Sequence, residues 1–280
     1  MNIKILSDST CDLSPALLAE NGIDLVPLTV IKAGAQFKDG VTIRPAEIFA
    51  HVANGGALCS TAANSIGEYA DYFDRYAADY DGIILINIGS GFSSCYQNAC
   101  AAAADYPNVR VIDSMNLSTG QGLVVLKACE LAKTASSLDA LAEELRAFTS
   151  RVEASFLLDR LDYMKKGGRC SAVTALGANL LKLHPCIEVI DGKMSVTKKY
   201  RGSIEKVVAD YVRERLEGRD DIDTSRIIIV DTCEDDHLAS IARKYVEEDG
   251  RFAEVLEAKA GCTIFSHCGP NTLGLLFARK

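Results

Sequence analysis

Short apolar runs alternate with segments of helical length along most of this chain, and this alternation constrains the fold more than any other feature. In the first half the runs are rich in isoleucine and valine and are almost continuously apolar, which is typical of strands covered on both faces of a sheet. The strands predicted there are residues 3–6, 25–31, 83–88 and 109–112. Such a pattern favours an α/β architecture with a mainly parallel sheet.

A predicted helix over residues 138–152 brings the first half to an end near residue 155. The second half includes a predicted hairpin, with strands at 186–190 and 194–198, whose Asp191-Gly192 turn suits positive φ angles. The other predicted elements are helices over 45–52, 64–78, 93–104, 122–133, 173–181, 203–216 and 237–247 and strands over 227–230 and 272–277. We therefore expect two α/β domains, residues 1–155 and 156–280.

Charge and hydropathy narrow the classes of partner. The net charge is −8 and no basic block is long enough to neutralise many phosphates, which excludes electrostatic binding to nucleic acid. The first apolar run meets Ser7-Asp8-Ser9 at once, and no later run is long enough to span a bilayer. We predict a cytoplasmic protein that binds a small molecule or a protein, with membrane contact at most transient and at the surface.

Cysteine and histidine usage gives no support for a metal centre. The ten cysteines form no Cys-x-x-Cys pair, and most lie in apolar or small-residue segments, so we expect buried, reduced thiols. None of the four histidines is spaced i, i+4 from another, as a helical metal site would require. We therefore expect neither a metal nor a cofactor.

A strand, a glycine-containing turn and a helix start follow one another over residues 83–96. Ligands of open α/β sheets bind beyond the carboxyl ends of strands, where helix N-termini offer free N–H donors to an anion. Ser93 lies at this point and could contact such an anion or serve only as the helix N-cap.

Two enzymatic interpretations nearly fit the same turn. Gly89-x-Gly91-x-x-Ser94, with Asp113 ending the next predicted strand, imitates a dinucleotide fingerprint, although its third glycine is a serine. Alternatively, Ser93, Asp231 and His267 occur in the chain order of a hydrolase triad. The turn lacks the second glycine of a nucleophile elbow, and no oxyanion glycine motif is present, so neither pattern is complete.

Two further segments carry groups that could face an anion. His267 stands alone before a Gly-Pro turn, where it is either a structural residue or an anion partner that titrates near neutral pH. Ser60-Thr61 precedes a predicted helix and could cap it or turn its hydroxyl groups toward the same ligand. Spacing along the chain does not choose between these roles.

Six short motifs in series resemble the DegV family of bacterial fatty-acid-binding proteins, in order and separation, along nearly the whole chain. They are Ser7-Asp8-Ser9-Thr10-Cys11-Asp12-Leu13, Asp39-Gly40-Val41, Gly89-Ser90-Gly91-Phe92-Ser93-Ser94-Cys95-Tyr96-Gln97, Ile112-Asp113-Ser114, Lys166-Gly167-Gly168-Arg169 and His267-Cys268-Gly269-Pro270. Each motif is weak alone, but the ordered set is specific.

The resemblance implies a two-domain α/β protein with a long-chain fatty acid buried between the domains. It further implies that the carboxylate is held by Thr61, Ser93 and His267. By the same resemblance, the protein is not an enzyme itself: it presents the acid to an ATP-dependent fatty-acid kinase subunit, which makes the acyl phosphate for phospholipid synthesis. The serine hydrolase of acyl esters is the alternative function.

The sequence departs from the family pattern beside the proposed donors. The family's Ser-Gly-Thr-Tyr is Ser-Ser-Cys-Tyr here, with Ser94 in place of the glycine, and the family's Thr-Ser-x-Pro ends in Asn64. Both changes preserve the oxygen donors and alter the residues that shape the backbone around them. We expect Ala62, Ser94 and Gly91 to support the carboxylate site.

A basic patch, defined as Lys165, Lys166, Arg169 and Arg201, has two interpretations. It could be a solvated loop face, which is common for clustered lysine and arginine. On an acidic protein it could also be the docking surface for an acidic kinase partner.

Overall fold

The computed structural model describes residues 1–176 and 183–280. Its strands, numbered in chain order, are β1 Ile3–Asp8, β2 Asp24–Val26, β3 Thr29–Lys32, β4 Ala35–Lys38, β5 Ser60–Ala62, β6 Gly82–Asn87, β7 Val109–Asp113, β8 Val152–Leu157, β9 Leu183–Ile190, β10 Lys193–Arg201, β11 Ile222–Asp231, β12 Glu254–Lys259 and β13 Leu273–Arg279. Its helices are α1 Pro15–Glu20, α2 Pro45–Ala53, α3 Ile66–Tyr76, α4 Cys95–Ala103, α5 Thr119–Ala132, α6 Leu138–Thr149, α7 Leu161–Gly167, α8 Ser171–Thr174, α9 Ile204–Leu216, α10 His237–Asp249 and α11 Cys262–Cys268.

The first sheet is parallel throughout and has the strand order β2-β1-β6-β7. Every residue of β6 is buried, as its continuous apolar sequence predicts for a strand covered on both faces. Helix α5 contacts β1 and β6 on one side and β8 and β13 on the other. It is buried along most of its length because it lies between two sheets. The predicted α/β class is confirmed.

The second sheet has six strands in the order β10-β9-β8-β13-β11-β12. Each pair of neighbouring strands in this sheet is antiparallel except β11 and β12, which are parallel. Strand β8 belongs to this sheet, so the predicted boundary between residues 155 and 156 falls within one strand. The division into domains at that point stays a prediction.

A third, small antiparallel sheet, β4-β3-β5, was not predicted, and it corrects the single strand predicted over 25–31. That stretch forms β2 in the first sheet and β3 in the third, with Pro27 between them. Proline has no backbone N–H for a strand ladder, so the chain can change sheets there. Strand β5 contains Thr61, which is therefore not a helix cap.

Several predicted helix boundaries are wrong by a few residues. Ser65, not Asn64, caps α3, because its hydroxyl accepts the backbone N–H of Glu68 in a capping box. Helix α4 starts at Cys95, two residues after Ser93. Helix α5 starts at Thr119, and α6 ends at Thr149. Part of the helix predicted over 173–181 lies outside the described residues.

The predicted hairpin is confirmed with longer strands, β9 and β10. Asp191 and Gly192 have φ angles of 49° and 70°, as a two-residue turn between twisted strands requires. The turn docks beside the first sheet, where the Gly192 carbonyl approaches Gly91 so closely that a Cβ atom at Gly91 would overlap it. Close backbone contact explains the glycine at position 91.

Candidate functional site

Thr61, Ser93 and His267 lie around one pocket, which we call the polar pocket. Its empty space, including space open to solvent, is about 520 Å³. Thr61 comes from β5, Ser93 from the turn before α4, and His267 from the last turn of α11. Arg169, just beyond α7, also lines this pocket. The fold thus brings together three predicted side chains that are distant in sequence, together with one member of the basic patch.

The contact between Thr61 and His267 is the shortest polar contact between site residues. The Thr61 Oγ1 atom lies 2.8 Å from the His267 Nε2 atom, across 206 positions of sequence. Burial lowers the pKa of His267 to about 4, and the Arg169 guanidinium adds to this effect. The ring is therefore neutral at physiological pH, so one of its nitrogens is a donor and the other an acceptor.

The surroundings of the ring favour one tautomer of His267. Its Nδ1 atom is buried, has no hydrogen-bond partner among the described residues, and faces Gly167. Buried N–H donors without a partner are rarer than acceptors without one, so we assign the proton to Nε2. Nε2–H then donates to the Thr61 oxygen, which leaves the Thr61 hydroxyl hydrogen available to a ligand in the pocket.

The two glycines of Lys166-Gly167-Gly168-Arg169 have separate physical reasons. A Cβ atom at Gly167 would overlap the His267 Nδ1 atom, so glycine there leaves room for the imidazole. Gly168 has a φ of 67° and ends α7 in the left-handed region that glycine adopts without strain. The motif therefore positions His267 from one side and directs Arg169 to the pocket.

Ser93 lies half-buried at the edge of the polar pocket, with no hydrogen bond to Thr61 or His267. Its Oγ atom accepts the backbone N–H of Cys95 at 3.3 Å and lies 3.1 Å from the Cys95 Sγ atom. A thiol is a weak hydrogen-bonding group, so the Ser93 hydroxyl can turn to a better acceptor at little cost. Ser93 is thus available to an anion.

Asp113 shapes the turn that carries Ser93. Its Oδ1 atom accepts the backbone N–H groups of Ser90 at 3.1 Å and Met115 at 2.9 Å. The acidic residue that would bind a ribose in the dinucleotide interpretation is therefore occupied by the backbone of two loops. These two hydrogen bonds account for an aspartate at position 113 by its structural role alone.

Asp231 does not join Ser93 and His267 in a hydrogen-bonded triad. Its carboxylate accepts from the Lys259 Nζ atom at 2.9 Å and from the Cys233 backbone N–H at 2.7 Å. Within residues 1–176 and 183–280, His267 has Thr61 as its side-chain partner. The relay that a serine hydrolase needs between acid, base and nucleophile is thus not assembled in this structure.

A second pocket, the apolar pocket, lies between α11 and the sheet strands β8, β13 and β11. Its empty space, including space open to solvent, is about 350 Å³. Its walls include Ala154, Phe156 and Leu276. It shares three residues with the polar pocket: Leu117, Ile264 and Cys268. The two pockets therefore adjoin each other along these three residues. One carries polar groups and the surface of the other is apolar.

Helix α11, which carries His267, was not predicted. Its contacts with two acidic residues from the first half of the chain were not predicted either. Asp39 accepts the backbone N–H of Cys262 at 2.8 Å and of Thr263 at 3.0 Å. Asp12 accepts that of Gly261 at 2.8 Å. Asp12 lies in the motif of residues 7–13 and Asp39 in that of residues 39–41, but nothing in the sequence pattern links them to a helix more than 200 positions away.

The predicted supporting residues divide into two groups. Ala62 lines the polar pocket, whereas Gly91 contacts the β9–β10 turn and Ser94 is an exposed residue at the start of α4. Their contribution to ligand binding stays a prediction.

The basic patch is not a loop throughout, because Lys165 and Lys166 lie on α7. Lys165 is half-buried and donates to the Leu176 carbonyl at 2.7 Å. The other three members, Lys166, Arg169 and Arg201, are exposed. Of these three, Arg169 lines the polar pocket. Arg201 ends β10, seven positions after Met194, which also lines that pocket, so the fold does not bring Arg201 to the rim with Arg169.

Within residues 1–176 and 183–280, no three His, Cys, Asp or Glu side chains are grouped to hold a metal ion. Within the same ranges, no helix is both long and apolar enough to cross a membrane.

All ten cysteines are free thiols, and nine of them are buried. The cytoplasmic location stays a prediction.

Comparison with known proteins connects this geometry to one family. A family model described as an uncharacterised protein of the DegV family matches residues 2–280. A DegV domain-containing protein of Clostridium acetobutylicum is 30% identical over 282 residues, which cover 99% of each chain.

Solved structures give the same picture. The fold is similar to a fatty-acid-binding DegV family protein from Thermus thermophilus, with a TM-score of 0.90, 30% identity and full coverage of both chains. It is also similar to a stearic-acid-binding protein from Eubacterium ventriosum, with a TM-score of 0.84 and 26% identity over 99% of this chain and 98% of the other.

Proposed function

The chain belongs to the DegV family, and from that premise we propose that it binds a long-chain fatty acid. The carboxylate would lie in the polar pocket among Thr61, Ser93 and His267, and the acyl chain would extend into the apolar pocket. The DegV family protein of Thermus thermophilus and the similar protein of Eubacterium ventriosum both bind fatty acids, which supports this ligand class.

The observation that carries the proposal is the shared wall of the two pockets. Leu117, Ile264 and Cys268 line both, so a polar end and an apolar end adjoin at one place. Burying about fifteen methylenes at ~0.8 kcal/mol each offers roughly 12 kcal/mol of gross stabilisation, offset by the cost of association. A carboxylate leaving water needs hydrogen-bond donors, and the polar pocket supplies them.

Mass spectrometry of the lipid released by denaturing the purified protein tests the ligand class. We expect one long-chain fatty acid per chain, and an empty protein that also fails to take up added acid would contradict the proposal. Chromogenic acyl esters and a fluorophosphonate probe test the hydrolase alternative. A binder gives no turnover and no label, whereas labelling of Ser93 together with ester turnover would replace the proposal by that alternative.

We further propose that the protein presents the bound carboxylate to an ATP-dependent fatty-acid kinase subunit, with the basic patch as the docking surface. Exposed cations on an acidic protein favour an acidic partner, and such surface charges act mainly on the association rate. The Arg169 side chain links the two, since it is exposed and lines the polar pocket.

The exposed Lys166, which lies outside both pockets, allows docking to be tested apart from acid binding. We expect Lys166→Glu to slow acyl-phosphate formation by a kinase subunit severalfold and to leave the content of bound acid unchanged. The control is Lys244→Glu, which makes the same charge change on the exposed face of α10. Equal rates for the two variants would remove the basic patch from the proposal.

A further inference from the structure

Helix α11 forms a wall of both pockets, so its position controls the whole candidate site. Thr263 and His267 face the polar pocket, and Ile264 and Cys268 line both. The helix has only seven residues. So short a helix has little stability of its own, and its position depends on the groups that hold its ends.

Asp39 holds the first turn of α11 with both of its carboxylate oxygens. Oδ1 accepts the N–H of Cys262, and Oδ2 accepts the N–H of Thr263 and the hydroxyl of Ser9. Asp39 is only 3% exposed, and it follows β4 in the small antiparallel sheet. That sheet also contains Thr61, so Asp39 joins the start of α11 to the structure that carries the partner of His267.

Asp12 also reaches the start of α11, but its two oxygens are used differently. Oδ1 accepts the N–H of Gly261 at 2.8 Å, and Oδ2 accepts the hydroxyl of Ser118 at 2.5 Å. A carboxamide at position 12 could accept from Gly261 and donate to the Ser118 oxygen, because a hydroxyl is both donor and acceptor. A carboxamide at position 39 would instead place its NH₂ group against a backbone N–H.

We propose that Asp39 is a positioning residue for His267: by holding the first turn of α11, it keeps the imidazole within hydrogen-bond distance of Thr61. Its effect on acid binding rests on the proposed function, whereas its effect on the ring does not. Asp39→Asn and Asp12→Asn each remove one buried carboxylate next to the same helix. Comparing them therefore separates the effect of holding the first turn of α11 from the effect of losing a nearby negative charge.

The first readout needs no ligand. Long-range ¹H–¹⁵N spectra of protein labelled at its four histidines report the tautomer of each ring, and His267→Gln assigns the signals of His267. We expect the Nε2–H tautomer in the wild type and in Asp12→Asn. In Asp39→Asn we expect that signature to be lost or averaged, although circular dichroism shows a folded chain.

The second readout is the dissociation constant for palmitic acid. We expect it to rise at least tenfold in Asp39→Asn and to stay within twofold of the wild type in Asp12→Asn. An Asp39→Asn protein that keeps both the ring signature and the affinity would overturn the proposal. If the wild type binds no acid, the proposed function fails, and the ring spectrum still decides the role of Asp39.

Asp39→Glu is the second variant, because it retains both oxygens and moves them by one methylene. A folded Asp39→Glu protein with a perturbed His267 signature supports the positioning role. If both Asp39 variants fail to fold while Asp12→Asn folds, Asp39 supports the fold as a whole and the proposal is overturned.

Discussion

The polar and apolar pockets share helix α11 as a wall, yet they are built in opposite ways. The polar pocket draws Thr61, Ser93 and His267 from three distant segments, and its key contact is a single 2.8 Å pair. Half of the residues that line the apolar pocket come from three neighbouring strands of one sheet, β8, β13 and β11. In the polar pocket, the orientation of a ligand would depend on the placement of single atoms. In the apolar pocket, its affinity would depend on how much apolar surface is buried.

This difference predicts two kinds of response to mutation. A change in the apolar pocket should act in proportion to the length of acyl chain that it displaces, because each buried methylene contributes about 0.8 kcal/mol. A change in the polar pocket should weaken all chain lengths equally, because every fatty acid has the same carboxylate. The following experiments use chain length to distinguish the two pockets.

The largest effect is expected from filling the apolar pocket with Ala154→Leu. Ala154 is buried in β8 and lines this pocket. The three added carbons would displace about three methylenes, or about 2.4 kcal/mol at 0.8 kcal/mol each, which is a roughly 50-fold loss of affinity. Titration with acids of sixteen and twelve carbons should show the loss mainly for the longer acid.

Ala278→Leu is the matched control, since Ala278 is a buried alanine of the same sheet that lines neither pocket. It should cost stability through overpacking without a change in chain-length preference. Equal losses for the two acids in Ala154→Leu would show that the acyl chain does not occupy the apolar pocket.

A smaller effect, about tenfold, is expected from Thr61→Val. Valine preserves the shape and the strand preference of threonine but removes the hydroxyl that contacts His267. A hydrogen bond to a charged group contributes about 1.5–3 kcal/mol, and the freed His267 N–H can recover part of it by turning to the carboxylate. Calorimetric titration should give the same fold loss for both acids.

Thr61→Ser is the control for this prediction, because it keeps the hydroxyl and should bind within a few-fold of the wild type. A Thr61→Val protein whose loss depends on chain length would place the carboxylate elsewhere.

The last effect concerns stability and not affinity: it is a change in the pH dependence of the free energy of unfolding. Because burial lowers the pKa of His267 from 6.5 to about 4, the unfolded chain takes up a proton between these pH values that the folded chain does not. The free energy of unfolding therefore falls as pH falls through this window, by at most about 1.4 kcal/mol per pH unit.

Urea unfolding at pH 4.5, 5.5 and 6.5 measures this slope. His267→Gln lacks the titrating ring, so its stability should fall less than that of the wild type over the same range. Burial raises the pKa of Asp12, which gives a slope of opposite sign, but that contribution is common to both proteins and cancels in their difference. Parallel curves would mean that His267 is solvated in the folded chain.

Much of the architecture follows from local sequence. The continuous apolar run of β6 and the Asp191-Gly192 turn were both predicted, because periodicity and turn preferences act over a few residues. The resemblance to the family also predicted Thr61, Ser93 and His267 as carboxylate donors, and the fold places these three side chains around one pocket. Family membership, rather than periodicity, selected these three from many hydroxyl groups and four histidines.

The sequence by itself therefore determined the α/β class, most elements and the residue types of the candidate site. Only the tertiary structure decided that α11 exists as a short buried helix, that Asp39 holds its first turn, and that residues 25–31 divide between two sheets. A seven-residue helix that is buried almost throughout has no solvent-exposed face, so its sequence lacks the contrast of apolar and charged faces by which surface helices are predicted. Contacts across more than 200 positions arise from how the sheets pack, and spacing along the chain does not record them.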